Sequence, residues 1–168
     1  MHPGSPATRE VSLDITVRTA SGAGRTTLAA FDTALLAAGV ANFNLVRLSS
    51  VVPRTSRIRC SAEPVTGDHG DRLFCVWAAA HAEHAGETAW AGLGWVRDET
   101  GRGLFVEHDG SSEDCVREQI HLSLEDMTAG RGGSWGPVET VLASAHHEGR
   151  PACALAIATY QVVPWEVV

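Results

Sequence analysis

A chain of 168 residues is long enough for one domain with a sizeable core, and 44% hydrophobic with 20% charged residues is an ordinary soluble composition. A net charge of −7 and a pI near 5.5 argue against the basic face that nucleic acid or an anionic membrane demands. Cys60, Cys75, Cys115 and Cys153 form no C-x-x-C pair and no apolar run spans a bilayer, so the expectation is a cytoplasmic protein whose reduced thiols are small core residues.

Residues 1–9 read as a loosely attached leader, without the apolar stretch of a signal peptide, ahead of a single domain over 10–168. From Val11 the pattern alternates: Val11, Leu13, Ile15 and Val17 on one side, Ser12, Asp14, Thr16 and Arg18 on the other. That is a half-buried strand, broken at Ser21-Gly22-Ala23-Gly24. Thr26 or Thr27 caps a helix that runs to about Ala38 and closes at Gly39, with Leu28, Phe31, Leu35 and Ala38 as its apolar stripe. At about 100° per residue, Asp32 lies roughly 40° from Leu28 and 60° from Leu35. A carboxylate so near the core side needs a partner, either neighbouring backbone or a pocket, and periodicity leaves both open.

Phe43–Leu48 reads as a second strand, ending in the adjacent pair Ser49-Ser50 before Val51-Val52-Pro53. Alone, such a pair is an ordinary strand-end or turn feature. The cluster Arg54, Arg57 and Arg59 reads as a solvated loop. Further strands are expected over Arg72–His81, Thr88–Val96 and Gly103–Glu107, the last two joined by a turn at 98–102. Ser111 and Asp114 have capping-box spacing ahead of a helix with Val116, Ile120, Leu124 and Met127 on one stripe. Val138–Ser144 and Ala152–Val162 complete the chain as strands. Two helices and about seven strands without regular βα alternation make an α+β protein on largely antiparallel sheet.

Other motifs carry less. Ser21-Gly22-Ala23-Gly24-Arg25-Thr26-Thr27 lacks the spacing and the lysine of a phosphate loop and reads as a glycine turn feeding a helix. His81-Ala82-Glu83-His84 matches neither zinc-protease pattern and reads as loop. The tryptophans at 77, 90, 95, 135 and 165 read as core and interface packing.

Taken together, residues 20–53 resemble the pyruvoyl-dependent arginine decarboxylase family. The matching features are a glycine turn, then Ala30-Phe31-Asp32-x-Ala34-Leu35-Leu36-x-Ala38-Gly39, then Asn42-x-Asn44-Leu45-x-Arg47-x-Ser49-Ser50 and Pro53. Gly103-Leu104-Phe105-Val106-Glu107-His108-Asp109-Gly110, the capped helix and the small-residue strand Ala152–Ala156 extend the likeness. The resemblance implies an αββα-type sandwich of sheets between helices, assembled as a homotrimer with sites shared between protomers. It implies self-cleavage between Ser49 and Ser50, giving a 1–49 β chain and a 50–168 α chain. Ser50 Oγ would attack the Ser49 carbonyl, the resulting ester would eliminate, and the dehydroalanine at 50 would hydrolyse to a pyruvoyl cofactor. That carbonyl would form a Schiff base with the substrate amine and act as electron sink. By the same resemblance Glu107 is the acid that protonates the α-carbon, Asn44 assists processing, and Asp32 pairs with the substrate guanidinium.

The implied reaction is arginine to agmatine plus CO2, a polyamine-forming step on a small amino acid, with no metal, nucleic acid or membrane involved. Departures bear on the substrate. Arg54 follows Pro53 where the family shows a second proline, residues 54–72 diverge, and Trp77, Trp90 and Trp95 are bulky. A cationic loop near the site would disfavour a cationic side chain. The alternatives are a pyruvoyl enzyme acting on a non-cationic amino acid, and an unprocessed paralogue serving as a partner subunit. A metal hydrolase built on His146, His147 and Glu107 is the third.

Overall fold

The computed structural model describes residues 12–166; Val11, the leader 1–9 and the last two residues lie outside the described residues. Strand β1 (Leu13–Ala23) turns Ile15 and Val17 into the core and Thr16 and Arg18 to the opposite face, as alternation requires. It does not break at Ser21-Gly22 but continues to Ala23, because the later strand β9 (Ala152–Val163) pairs with it from Thr16 through Ala23. Gly22 is there for space: a Cβ would lie 2.3 Å from the Ala34 nitrogen and 2.7 Å from the Ala30 carbonyl oxygen. The backbones that approach it belong to helix α1 (Thr27–Ala37), which starts where Thr26 Oγ1 accepts from Ala29 N at 3.1 Å. It ends before Gly39, whose φ of 73° only glycine adopts freely.

So close an approach needs a face of methyl groups, and it turns α1. The buried stripe is Ala30, Ala34, Leu35 and Ala38, whereas Leu28, expected inside, is 74% exposed. Leu28, Asp32 and Leu36, at i, i+4 and i+8, are therefore all turned outward.

The remaining elements are β2 (Asn44–Arg47), β3 (Val51–Val52), β4 (Ser56–Cys60), β5 (Arg72–Ala82), β6 (Thr88–Arg97), β7 (Gly103–Gly110), helix α2 (Glu113–Ala129) and β8 (Glu139–His146). One sheet has the order β2-β5-β9-β1-β4 and the other β3-β7-β6-β8. Every pairing is antiparallel except β1 with β4 and β2 with β5, so the α+β, mostly antiparallel expectation holds. Ile15, Val17, Val76, Ala158 and Tyr160 of one sheet pack with Leu93, Trp95 and Phe105 of the other. Burying each large apolar side chain there contributes about 1.5–3 kcal/mol. Helix α1 covers Cys75, Cys153, Leu155 and Ile157 of the first sheet. Helix α2 sets Val116, Ile120 and Leu124 against Leu104 and Val106 of the second. Its cap is Ser112, whose Oγ accepts from Cys115 N at 3.2 Å, one residue later than the capping-box spacing predicts.

Strands β3 and β4 depart from the expected layout. Arg57 and Arg59 lie on β4, an edge strand rather than a loop, and Arg57 forks onto the Asp14 carboxylate at 3.0 and 3.3 Å. The cysteines divide: Cys75 and Cys153 are buried, while Cys60 and Cys115 are exposed, which corrects the expectation of four core thiols. Burial pushes the Cys75 thiol up to about 12 and that of Cys153 up to about 11, so both stay protonated. The 98–102 turn is tied by one carboxylate, Asp98, which accepts from Thr100 N and Oγ1 and from Arg102 N and Nε at 2.6–3.0 Å.

Candidate active site

The chain leaves the first sheet at Arg47 and enters the second at Val51, so residues 48–50 carry it from one layer to the other. Leu48 N still donates to Cys75 O at 2.9 Å, and Phe105 N donates to the Ser50 carbonyl at 2.8 Å, anchoring the two ends of the crossing. Between these anchors the backbone must turn sharply, and Ser50 takes a φ of 69°. It is the single non-glycine residue with positive φ among the described residues. For an L-residue this left-handed conformation costs roughly 1–2 kcal/mol. A residue held there against that cost marks a site where strain has a use.

Strand β7 positions the partner. β3 pairs with β7 only through Val51–Leu104 and Val52–Gly103, so past Phe105 that edge of β7 has no strand beside it. Alternation puts Phe105, Glu107 and Asp109 on the side facing the other sheet, and His108 on the helix side, where Nε2 meets Ser123 Oγ at 2.7 Å. Phe105 is locked between Trp95 and Tyr160, at centroid distances of 5.7 and 6.2 Å. Glu107 then comes to rest at the unpaired edge, and Ser50 Oγ donates a hydrogen bond to its Oε1.

These residues line an open cleft of about 590 Å³ with Arg47, Ser49, Trp77 and Asp109. Ser50 is nearly buried, Glu107 half-buried, and Ser49 and Asp109 exposed. The Arg47 guanidinium lies 4.1 Å from the Trp77 ring centroid and donates to the Trp77 carbonyl, which fixes it along one wall. Two carboxylates against one guanidinium leave the cleft net anionic.

Sequence reasoning missed one residue here, Tyr160. Its hydroxyl donates to the Val51 carbonyl at 3.2 Å, holding the strand that follows Ser50 from the opposite sheet. Burial, with the charge of Glu107 added, pushes its phenol well above the usual tyrosine range, so it stays a donor. The signal available in the sequence was modest: the chain's one tyrosine, near the end of a strand of small apolar residues.

Ser49, Ser50 and Glu107 are thus brought together. Asn44 and Asp32 are not in this cleft. Asn44 opens β2, and its Nδ2 donates to Gly70 O at 2.6 Å. Asp32 sits exposed on α1, and among the described residues its side chain bonds neither to backbone nor to another side chain, so neither of the two partners expected from periodicity is met there. Nor do Arg54, Arg57 and Arg59 line the cleft, so they set no positive charge in its wall against a cationic substrate. His146 bonds to Thr88 Oγ1 at 2.8 Å on β8, apart from Glu107 on β7.

A sequence model of the family described as pyruvoyl-dependent arginine decarboxylase matches residues 14–163. A Halobacterium salinarum protein named pyruvoyl-dependent arginine decarboxylase is 35% identical over 149 residues, covering 83% of this chain and 89% of its own. Proteins of the same name from Thermococcus kodakarensis and Pyrococcus abyssi are 31% and 33% identical over 140 residues, covering 82% of this chain and 88% and 87% of theirs.

Proposed function

Because the chain belongs to the pyruvoyl-dependent arginine decarboxylase family, we propose that it cuts its own Ser49–Ser50 bond and then converts L-arginine to agmatine and CO2. One observation carries the reading. The residue that must act as nucleophile, Ser50, is held in a left-handed conformation with its hydroxyl on the carboxylate of Glu107.

The chemistry follows from these groups. Glu107 takes the hydroxyl proton as Ser50 Oγ attacks the Ser49 carbonyl carbon, and that proton goes on to the Ser50 nitrogen as the C–N bond breaks. The resulting ester loses the Ser50 α-proton and expels the Ser49 carboxylate. Water then replaces the nitrogen at residue 50, releasing ammonia. The torsion φ of Ser50 turns about its N–Cα bond, and processing removes that nitrogen, so the strain there favours the cut.

The residues present fit the pyruvoyl group. Position 50 faces the cleft beside Glu107, and its own carbonyl already accepts from Phe105 N at 2.8 Å. When formed, that group supplies the electron sink for loss of CO2. Glu107 would return a proton to the substrate α-carbon, and Tyr160 and Phe105 fix the segment after residue 50.

Asp32 and Asn44 enter through assembly. We propose a homotrimer of helix–sheet–sheet–helix (αββα) protomers in which a neighbouring copy's α1 brings Asp32 to the substrate guanidinium and Asn44 assists processing. The support is the outward row Leu28, Asp32 and Leu36, with the leucines 74% and 58% exposed, and the 57% exposed Val51 beside Ser50. One domain over 10–168, cut into 1–49 and 50–168, and a cytoplasmic location complete the reading; among the described residues no helix is long and apolar enough to cross a membrane.

Denaturing mass spectrometry with and without a carbonyl-trapping reagent, followed by CO2 release from a panel of amino acids, tests it. Two fragments, of which only 50–168 is trapped, and preference for arginine are expected. An intact chain with an unmodified Ser50, or release from a non-cationic amino acid instead, would overturn it.

A further inference from the structure

Arg18 presents a different problem from the cleft residues. It lies on the helix-side face of β1, 6% exposed, and among the described residues every group that it bonds is neutral. Nε and Nη2 donate to the Glu63 carbonyl at 3.2 and 3.0 Å, and Nη1 donates to the hydroxyls of Thr16 and Thr159, the latter at 2.9 Å. These acceptors satisfy hydrogen bonds but leave the positive charge uncompensated, and no carboxylate of the described residues lies within ion-pair distance. A buried cation ordinarily keeps a counter-charge, because desolvating it alone is costly. Here a neighbouring charge of the same sign adds to that cost. Arg59 stands opposite Thr16 in the β1–β4 register, and burial together with Arg59 lowers the Arg18 guanidinium from its ordinary value.

Both arginines border a cavity of about 250 Å³ whose wall continues through Ser61, Thr66 and Gln161. Asp14 and Glu63 border it too. Asp14 is already engaged by Arg57, and Glu63 contributes its backbone carbonyl. We infer that this cavity is a site for a small oxyanion of phosphate size, held between the Arg18 and Arg59 guanidinium groups on the outer face of the first sheet. The fork of Arg18 is fixed by its neutral partners, which lowers the ordering cost when an oxyanion docks. Arg59 is exposed, so the anion has a way in.

The test is titration of the dialysed protein with inorganic phosphate at constant ionic strength, by calorimetry and by thermal unfolding. One saturable site per chain is expected, with a Tm rise of roughly 5–10 °C at a hundredfold excess over Kd. Arg59→Ala, an exposed change, should weaken binding at least about tenfold by removing one of two charge-assisted contacts. Arg18→Met should abolish it, and Glu63→Gln should tighten it by removing a like charge. No saturable heat up to about 10 mM phosphate would overturn the site. So would binding that Arg59→Ala leaves unchanged.

Discussion

The strain assigned to Ser50 is measurable in two variants that share the loss of the nucleophile. Ser50→Ala and Ser50→Gly both lack Oγ and stay uncut, so each unfolds as one chain. Both keep the Phe105 N–H bond to the residue-50 carbonyl, and both lose the bond to Glu107, so these contributions cancel. What differs is the Cβ at a φ of 69°. Alanine retains a penalty of roughly 1–2 kcal/mol, and glycine removes it while adding about 0.5–1 kcal/mol of unfolded-chain entropy. Ser50→Gly should therefore be the more stable by about 0.5–1 kcal/mol, or about 1–4 °C in Tm for a chain of this size. Urea midpoints at equal m-value read the difference directly. If Ser50→Ala matches or exceeds Ser50→Gly, the conformation carries no strain, and a strained scissile bond is no part of processing.

Glu107→Gln keeps the shape but cannot accept the Ser50 proton; self-cleavage should slow about 10²–10⁴-fold, followed as the fraction of uncut chain against time. Tyr160→Phe should cost about 1–2 kcal/mol by leaving the Val51 carbonyl without its donor, and should slow processing without abolishing it; unchanged melting and cleavage would refute that anchor. Gly22→Ala drives a Cβ into α1 backbone at 2.3 Å and should destabilise by about 1–3 kcal/mol in chemical denaturation. Asp98 is pushed up by burial, yet the bonds from Thr100 and Arg102 outweigh this and hold its carboxyl at about 2, below the ordinary 3.8. Its folded pKa is depressed, so its contribution is complete above pH of about 4 and fades as pH falls toward about 2. Asp98→Asn should melt below the parent at neutral pH, with the gap narrowing across that window.

The long strands were legible because alternation is local: Leu13, Ile15 and Val17 define β1 without reference to anything else. The face of α1 was not, because it depends on Gly22 coming within contact of Ala30 and Ala34. No periodicity along the helix records that approach, and Leu28 and Phe31 bias the reading outward from it. β3 has two residues, too few for any pattern, and the arginines of β4 mask an alternation of Ser56, Ile58 and Cys60. At the site, the serine pair and Glu107 were recognisable through resemblance, whereas Tyr160 reaches Val51 across 109 residues of sequence. The cleft is made by the meeting of two sheets, and only their packing reveals which side chains meet there.

The strand order β2-β5-β9-β1-β4 has a further consequence for a chain cut after Ser49. Strands β1 and β2 would belong to one polypeptide and β4, β5 and β9 to the other, so the sheet becomes a weave in which β1 is clasped on both flanks by foreign strands. The second sheet would lie whole within 50–168, but neither piece would hold the first sheet complete. Before the cut, folding is a unimolecular event; after it, the same architecture is an obligate heterodimer whose melting point depends on protein concentration. Such a cut would act as a ratchet: assembly would happen once, as a single chain, and the resulting enzyme would be easier to keep than to rebuild.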